Sequence, residues 1–243
     1  MATMPSRVAP HLPDIRDYPQ SGNRTMPSTQ HERAQRTVAM ILEAVAAPDD
    51  LVAVELMILL DARNWRRHLT PDVFLARGVG PLDPVYGVPR RQYRLWDEGT
   101  MPDLVYEGAS PSTKDRDSAG KKTDYAALGV REYVQFDPLG ELLSPRLQMH
   151  RLTAFGTYER VAAEEDGAVR CVTLPDYDWL VDGYLPRLRQ RATGRLVPTP
   201  AERAALEATR ASAEAARANA AEAEIARLRE QLARLQADPE SSR

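Results

Sequence analysis

The chain has 243 residues, 43% hydrophobic and 28% charged, with 32 Lys and Arg against 35 Asp and Glu. That length holds one sizeable core plus an appendage, and a net charge of −3 excludes a globally basic nucleic-acid coat while allowing a local basic surface. The single cysteine, Cys171, excludes a disulfide framework and a thiolate zinc site and fits a reducing, cytoplasmic compartment.

Residues 1–30 carry five prolines among polar residues and show no periodicity, which reads as a poorly ordered arm. A globular segment follows over 31–191. Val38, Ile41, Leu42 and Val45 lie at i, i+3, i+4 and i+7, which predicts a helix over 31–47 ended by Pro48-Asp49-Asp50. LVAVELMILL (51–60) is bounded by turn residues and partly β-branched, and is expected to be a strand. It is interrupted by Glu55 and too short to cross a bilayer. The N-terminus lacks the apolar region of a secretory signal. PDVFLA (71–76) opens on Pro71, where a missing N–H is tolerated, and predicts a second strand.

After a Gly- and Pro-rich loop (78–89), PDLVYEG (102–108) predicts a third strand and 115–128 a helix closed by Gly129. EYVQFDP (132–138) predicts a fourth strand, and segments near 147–151, 157–162 and 168–174 further antiparallel strands. Helix, three strands, helix, strand is the order of a mixed α/β (α+β) core, with a sheet between helices. In the tail, Thr199-Pro200-Ala201-Glu202 combines a capping box with Pro at the first helical position. A helix over 198–238 is expected, and Ile225, Leu228, Leu232 and Leu235 follow coiled-coil spacing. A solvated single helix and a self-associating coiled coil both fit this pattern.

Two strand carboxylates stand out. Asp103 and Glu107 share a strand face but sit roughly 13 Å apart, too far to ligate one metal ion. A partner for Glu107 must come from a neighbouring strand, and Asp72 in the other Pro-Asp strand is the natural candidate. Asp103 also fits a strand-start or turn residue. The only three lysines, Lys114, Lys121 and Lys122, follow Glu107 closely, and the remaining 29 basic residues are arginines. A desolvated lysine can activate water or neutralise a phosphate, which arginine does not do in the same way. Asp117, Lys121 and Tyr125 share one helix face. That face equally fits a surface ion pair beside a packed tyrosine.

Residues 102–138 resemble the signature of the putative restriction endonuclease (Uma-type) family, whose pattern is PDLVVEVLSPST, then Asp, Lys and Tyr at four-residue intervals, then GV-x-EYW-x-VDP. Pro102, Asp103, Glu107, Ser110, Pro111, Ser112, Thr113, Asp117, Lys121, Tyr125, Gly129, Val130, Glu132, Tyr133, Asp137 and Pro138 match it. The resemblance implies a PD-(D/E)XK restriction-endonuclease-like core. Carried over, Asp72 is the Pro-Asp carboxylate and Glu107 the acid of the D/E-x-K element. Ala109 stands where that element has its lysine, and the resemblance points to Lys121 of the following helix as its replacement. The resemblance also implies Mg²⁺ or Mn²⁺ held by Asp72 and Glu107, DNA as substrate, and phosphodiester hydrolysis with Lys121 orienting water. His31 and Tyr125 are possible additional site residues.

From Arg63 to Arg94 there are seven arginines against two acids, interleaved with Trp65, Tyr86, Tyr93 and Trp96. Such a segment suits contact with a nucleic-acid backbone and its bases, with Arg66, Arg67, Arg90, Arg91 and Arg94 as candidates. The same arginines equally fit a solvated loop paired with acids elsewhere. The competing function is a catalytically inactive nuclease-fold protein that binds DNA or a partner and oligomerises through its C-terminal helix.

Overall fold

The computed structural model describes residues 29–109 and 117–237, the side chains of 117–119 and 235–237 excepted. The proline-rich arm therefore lies outside the described residues, apart from its end, and so does Lys114. The chain divides between Val197 and Pro198 into two compact units.

In the first unit, helix α1 (Thr29–Glu43) buries Ala34, Val38, Ile41 and Leu42 along one side, as the spacing predicts. It ends earlier than expected, in a turn at 44–46, where the Asp50 carboxylate captures the Ala47 N–H. Strands β1 (Leu51–Val54), β2 (Ile58–Leu59), β3 (His68–Leu69), β4 (Val73–Ala76) and β5 (Tyr93–Arg94) follow. Then come helix α2 (Leu95–Glu98), β6 (Leu104–Gly108), α3 (Asp117–Ala127) and β7 (Glu132–Phe136). Five further strands close the unit: β8 (Leu147–Leu152), β9 (Tyr158–Arg160), β10 (Val169–Arg170), β11 (Tyr177–Asp182) and β12 (Leu185–Gln190).

The main sheet has the order β1-β4-β6-β7-β8-β9. Every pair in it is antiparallel except β6–β7, which is parallel. A parallel pair needs a crossover, and α3 supplies it. Helix α3 stops where Gly129 adopts φ 89°, a left-handed conformation that glycine takes without a side-chain clash.

Two apolar layers hold the sheet. On one face α1 packs with Val73, Leu75, Leu104, Tyr106, Val134 and Phe136, beneath the separate β10-β11-β12 sheet that contributes Trp179 and Leu188. On the other face Phe74, Val105 and Tyr133 pack with Tyr125 of α3 and with Ile58, Leu69 and Tyr93 of the small β3-β2-β5 sheet.

The 51–60 run is not one strand. The β1–β4 ladder ends where the Glu55 N–H donates to the Asp72 carbonyl at 3.1 Å, and Glu55 takes φ 50°, uncommon for a residue with a side chain. Beyond this kink the chain enters a different sheet. A continuous apolar run reports burial, and two short strands in two sheets bury it as well as one long strand does. The β11–β12 hairpin was likewise not among the predicted strands.

The second unit contains α4 (Pro200–Ala237), with the expected capping box: Glu202 N–H donates to Thr199 Oγ1 and Thr199 N–H to Glu202 Oε2. Its described side chains, including Ile225, Leu228 and Leu232, are exposed. No helix among the described residues is long and apolar enough to cross a membrane.

Candidate active site

Strand β4 begins, and β6 ends, at the same end of the main sheet's strands. Their register pairs Val73 with Tyr106, and one further step places Asp72 beside Glu107. Antiparallel pairing alone thus sets Asp72 on the strand next to Glu107.

Asp72 is buried and fixed from two sides. Its Oδ2 accepts the Gly108 N–H at 2.7 Å and lies 3.1 Å from His31 Nε2. One turn after His31, Gln35 donates from Nε2 to the Asp72 carbonyl and to Glu55 Oε1, both at 3.1 Å. Helix α1 thus clamps the start of β4 with two polar side chains at i and i+4. Gly108 makes this packing possible, because a Cβ there would lie 2.6 Å from His31 Cε1 and 2.8 Å from His31 Nδ1.

Glu107 is buried against α3. The Tyr125 hydroxyl donates to its Oε1 at 2.9 Å, and Lys121 Nζ lies 3.4 and 3.5 Å from its two oxygens. Burial and then the Glu107 charge push the Tyr125 phenol well above its ordinary range, so it stays protonated and donates. Lys121 and Tyr125, four residues apart, present both donors from one side of α3.

The structure brings Asp72, Glu107, Lys121, His31 and Tyr125 together. It does not bring Asp103 to them. That residue precedes β6 at the opposite end, where its carboxylate accepts the Arg77 N–H at 2.9 Å and lies 3.8 Å from Arg131. Gln35 and Glu55 were not among the expected site residues; the Gln35 position was legible in the His31–Gln35 helical spacing, and the Glu55 kink was not.

The five candidate arginines separate into two groups. Arg66, Arg67 and Arg91 are exposed, with the Arg66 guanidinium 5.3 Å over the ring of half-exposed Trp65. Arg90 is buried against Glu98 at 2.7 Å and the carbonyls of Val79 and Gly80. Arg94 is buried between Asp83, at 2.9 Å, and Asp97. These two guanidinium groups are consumed in holding the 79–98 segment, which corrects their reading as a DNA-contact surface.

Asp72 and Glu107 are hard oxygen donors, and the lone thiol, Cys171, is engaged elsewhere with Glu132. Magnesium binds through one or two carboxylates and fills its remaining positions with water and substrate phosphate oxygens. This pair fits such an ion. Among the described residues no group of three or more His, Cys, Asp or Glu side chains forms a self-sufficient metal cage.

No curated protein matches the chain. Among solved structures, a putative nuclease belonging to DUF820 from Anabaena variabilis is similar at a TM-score of 0.48 and 16% identity, over 63% of this chain and 77% of that one. The chain matches the Uma2 family, described as "Putative restriction endonuclease", over residues 23–181. That span contains the whole α1–β4–β6–α3–β7 site, so the fold is restriction-endonuclease-like and the chain belongs to the Uma2 family.

Proposed function

We propose that this chain is a metal-dependent endonuclease that hydrolyses DNA phosphodiester bonds. The observation that carries the reading is the convergence of Asp72, Glu107 and Lys121 at one end of the sheet. Asp72 and Glu107 would hold Mg²⁺ or Mn²⁺, which when bound polarises a phosphate and lowers the pKa of an attacking water. The chain's own residues do the positioning. Gly108 N–H and His31 orient Asp72, and Tyr125 orients Glu107. Lys121 orients the water or balances charge developing on the phosphate. Exposed Arg66, Arg67 and Arg91 would contribute contacts to the backbone.

The test is cleavage of single- and double-stranded DNA with Mg²⁺ or Mn²⁺, beside Glu107→Ala. Metal-dependent cleavage lost in the variant supports the reading. An inactive parent, or equal activity in the variant, overturns it in favour of a non-catalytic binding protein. The exposed Ile225, Leu228 and Leu232 seam of α4 supports self-association of the tail. Light scattering before and after truncation at Pro198 tests that, and an unchanged mass rejects it.

A further inference from the structure

One step beyond the β1–β4 register, Glu55 stands opposite Asp72, and Asp72 in turn stands beside Glu107. An ion such as magnesium demands near-ideal octahedral geometry at about 2.0–2.1 Å, so a carboxylate that ligates it has to be held in place. Asp72 follows Pro71 and precedes the first residue of β4, where the ladder ends. Its carbonyl accepts two donors, the Glu55 N–H and Gln35 Nε2, both at 3.1 Å. The same Gln35 nitrogen donates to Glu55 Oε1, also at 3.1 Å. A side-chain amide nitrogen carries two protons, and here each has its own acceptor. That fixes the rotation of an amide whose last torsion is otherwise broad.

Among the described residues, Glu55 is the one non-glycine residue with a positive φ, at 50°. A left-handed backbone is strained for a residue with a side chain, and glycine takes it freely. Such strain persists where the surroundings over-determine it, and it gathers at functional sites. If the kink between β1 and β2 were the whole requirement at this position, glycine would meet it better. Glu55 is exposed, so its side chain is not kept for apolar burial; it reaches the amide of Gln35, itself 6% exposed.

We propose that Glu55 is a positioning residue for Asp72. Its N–H directly, and its carboxylate through Gln35, hold the Asp72 carbonyl. The peptide plane between Asp72 and Val73 is thereby fixed, and with it the direction of the Asp72 side chain, whose Oδ2 meets the Gly108 N–H at 2.7 Å. The effect on metal binding rests on the nuclease reading; the hold on Asp72 does not.

Glu55→Gly and Glu55→Gln in the full chain test this. Glycine keeps the N–H and the kink and removes the carboxylate; glutamine keeps an acceptor for Gln35. The first readout is hydrogen exchange of the Gly108 N–H in metal-free protein. The second is Mn²⁺ binding followed by electron paramagnetic resonance, taking the component that Glu107→Ala abolishes. Glu55→Gly is expected to keep the unfolding midpoint, to speed exchange at Gly108 relative to the amides of β7, and to weaken Mn²⁺ binding about tenfold. Glu55→Gln is expected to match the parent in both. Parent-like exchange at Gly108 in Glu55→Gly overturns the positioning role, and so does a Glu55→Gln that behaves like Glu55→Gly. Unchanged Mn²⁺ affinity in Glu55→Gly overturns its reach to the metal. Faster exchange at Gly108 in Glu55→Gly, with a parent that binds no Mn²⁺, supports the hold on Asp72 and sinks the metal reading.

Discussion

Glu107 and Glu132 lie on adjacent parallel strands, both are buried and both face a cation, yet the fold treats them differently. Glu132 accepts the backbone N–H groups of Val172 and Thr173 at 2.9 and 2.8 Å, the Cys171 thiol at 3.1 Å and Arg151 at 3.2 Å. Those donors stitch β7 to the 171–173 loop, and burial with the Glu132 charge pushes the Cys171 thiol far above its ordinary range. The described donors to Glu107 are the side chains of Lys121 and Tyr125, carried by one helix. Two backbone N–H groups, a thiol and a guanidinium make Glu132 part of the architecture. Glu107 faces an ammonium and a phenol beside a second carboxylate, contacts that the proposed metal ion would replace or share. Burial alone therefore does not distinguish these two glutamates, whose described donors differ in kind.

That contrast breaks if the two glutamates respond alike. Glu132→Ala leaves two backbone N–H groups and Arg151 without their acceptor, and is expected to destabilise the fold by about 3–5 kcal/mol in urea unfolding. Cleavage by the folded fraction should persist. Glu107→Gln should do the reverse, lowering cleavage about a thousandfold or about 4 kcal/mol in barrier, with the unfolding midpoint kept or raised.

Gly108→Ala sharpens the comparison by disturbing the site through packing. Its new Cβ would lie 2.6 Å from His31 Cε1 and 3.3 Å from Asp72 Oδ2. A stability loss of about 1–3 kcal/mol is expected, together with reduced cleavage. A neutral variant would mean that His31 moves without consequence for Asp72.

The smallest effect is a pH dependence. The folded-state pKa of His150, about 4, lies below its ordinary 6.5, so between these values the unfolded chain binds more protons. The His150 contribution is fully present above about 6.5 and is lost as pH falls towards 4. His150→Gln should flatten that part of the stability profile, as read by thermal unfolding from pH 7 to 4.5. An unchanged slope would mean that the His150 imidazole is not buried in the folded chain.

Much of the site is legible because its residues are paired by short-range geometry. His31 and Gln35, and Lys121 and Tyr125, lie one helical turn apart, and Pro71-Asp72 opens a strand just as Pro102-Asp103 does. The exclusion of Asp103 as a co-ligand of Glu107 likewise needed only strand rise. The arginine-rich segment was misleading, because composition counts charge and carries no information on its partner. Arg90 and Arg94 find Glu98, Asp83 and Asp97 within the same loop. The β11–β12 hairpin turns at Gly183-Tyr184, where Gly183 takes φ 58°, so its signal was a single Gly-X pair.

By itself the sequence determined the helices and the strands that carry Asp72, Glu107 and Lys121, since amphipathic spacing, Pro-Asp starts and caps act over a few residues. The tertiary structure decided which carboxylates meet. Strand register set Asp72 beside Glu107, sent Asp103 to the far end and left Glu132 to the 171–173 loop. Only the packed sheet set His150 of β8 opposite Arg160 of β9. Contacts between residues distant in the chain depend on which strands pair and in what register, and no local spacing encodes that.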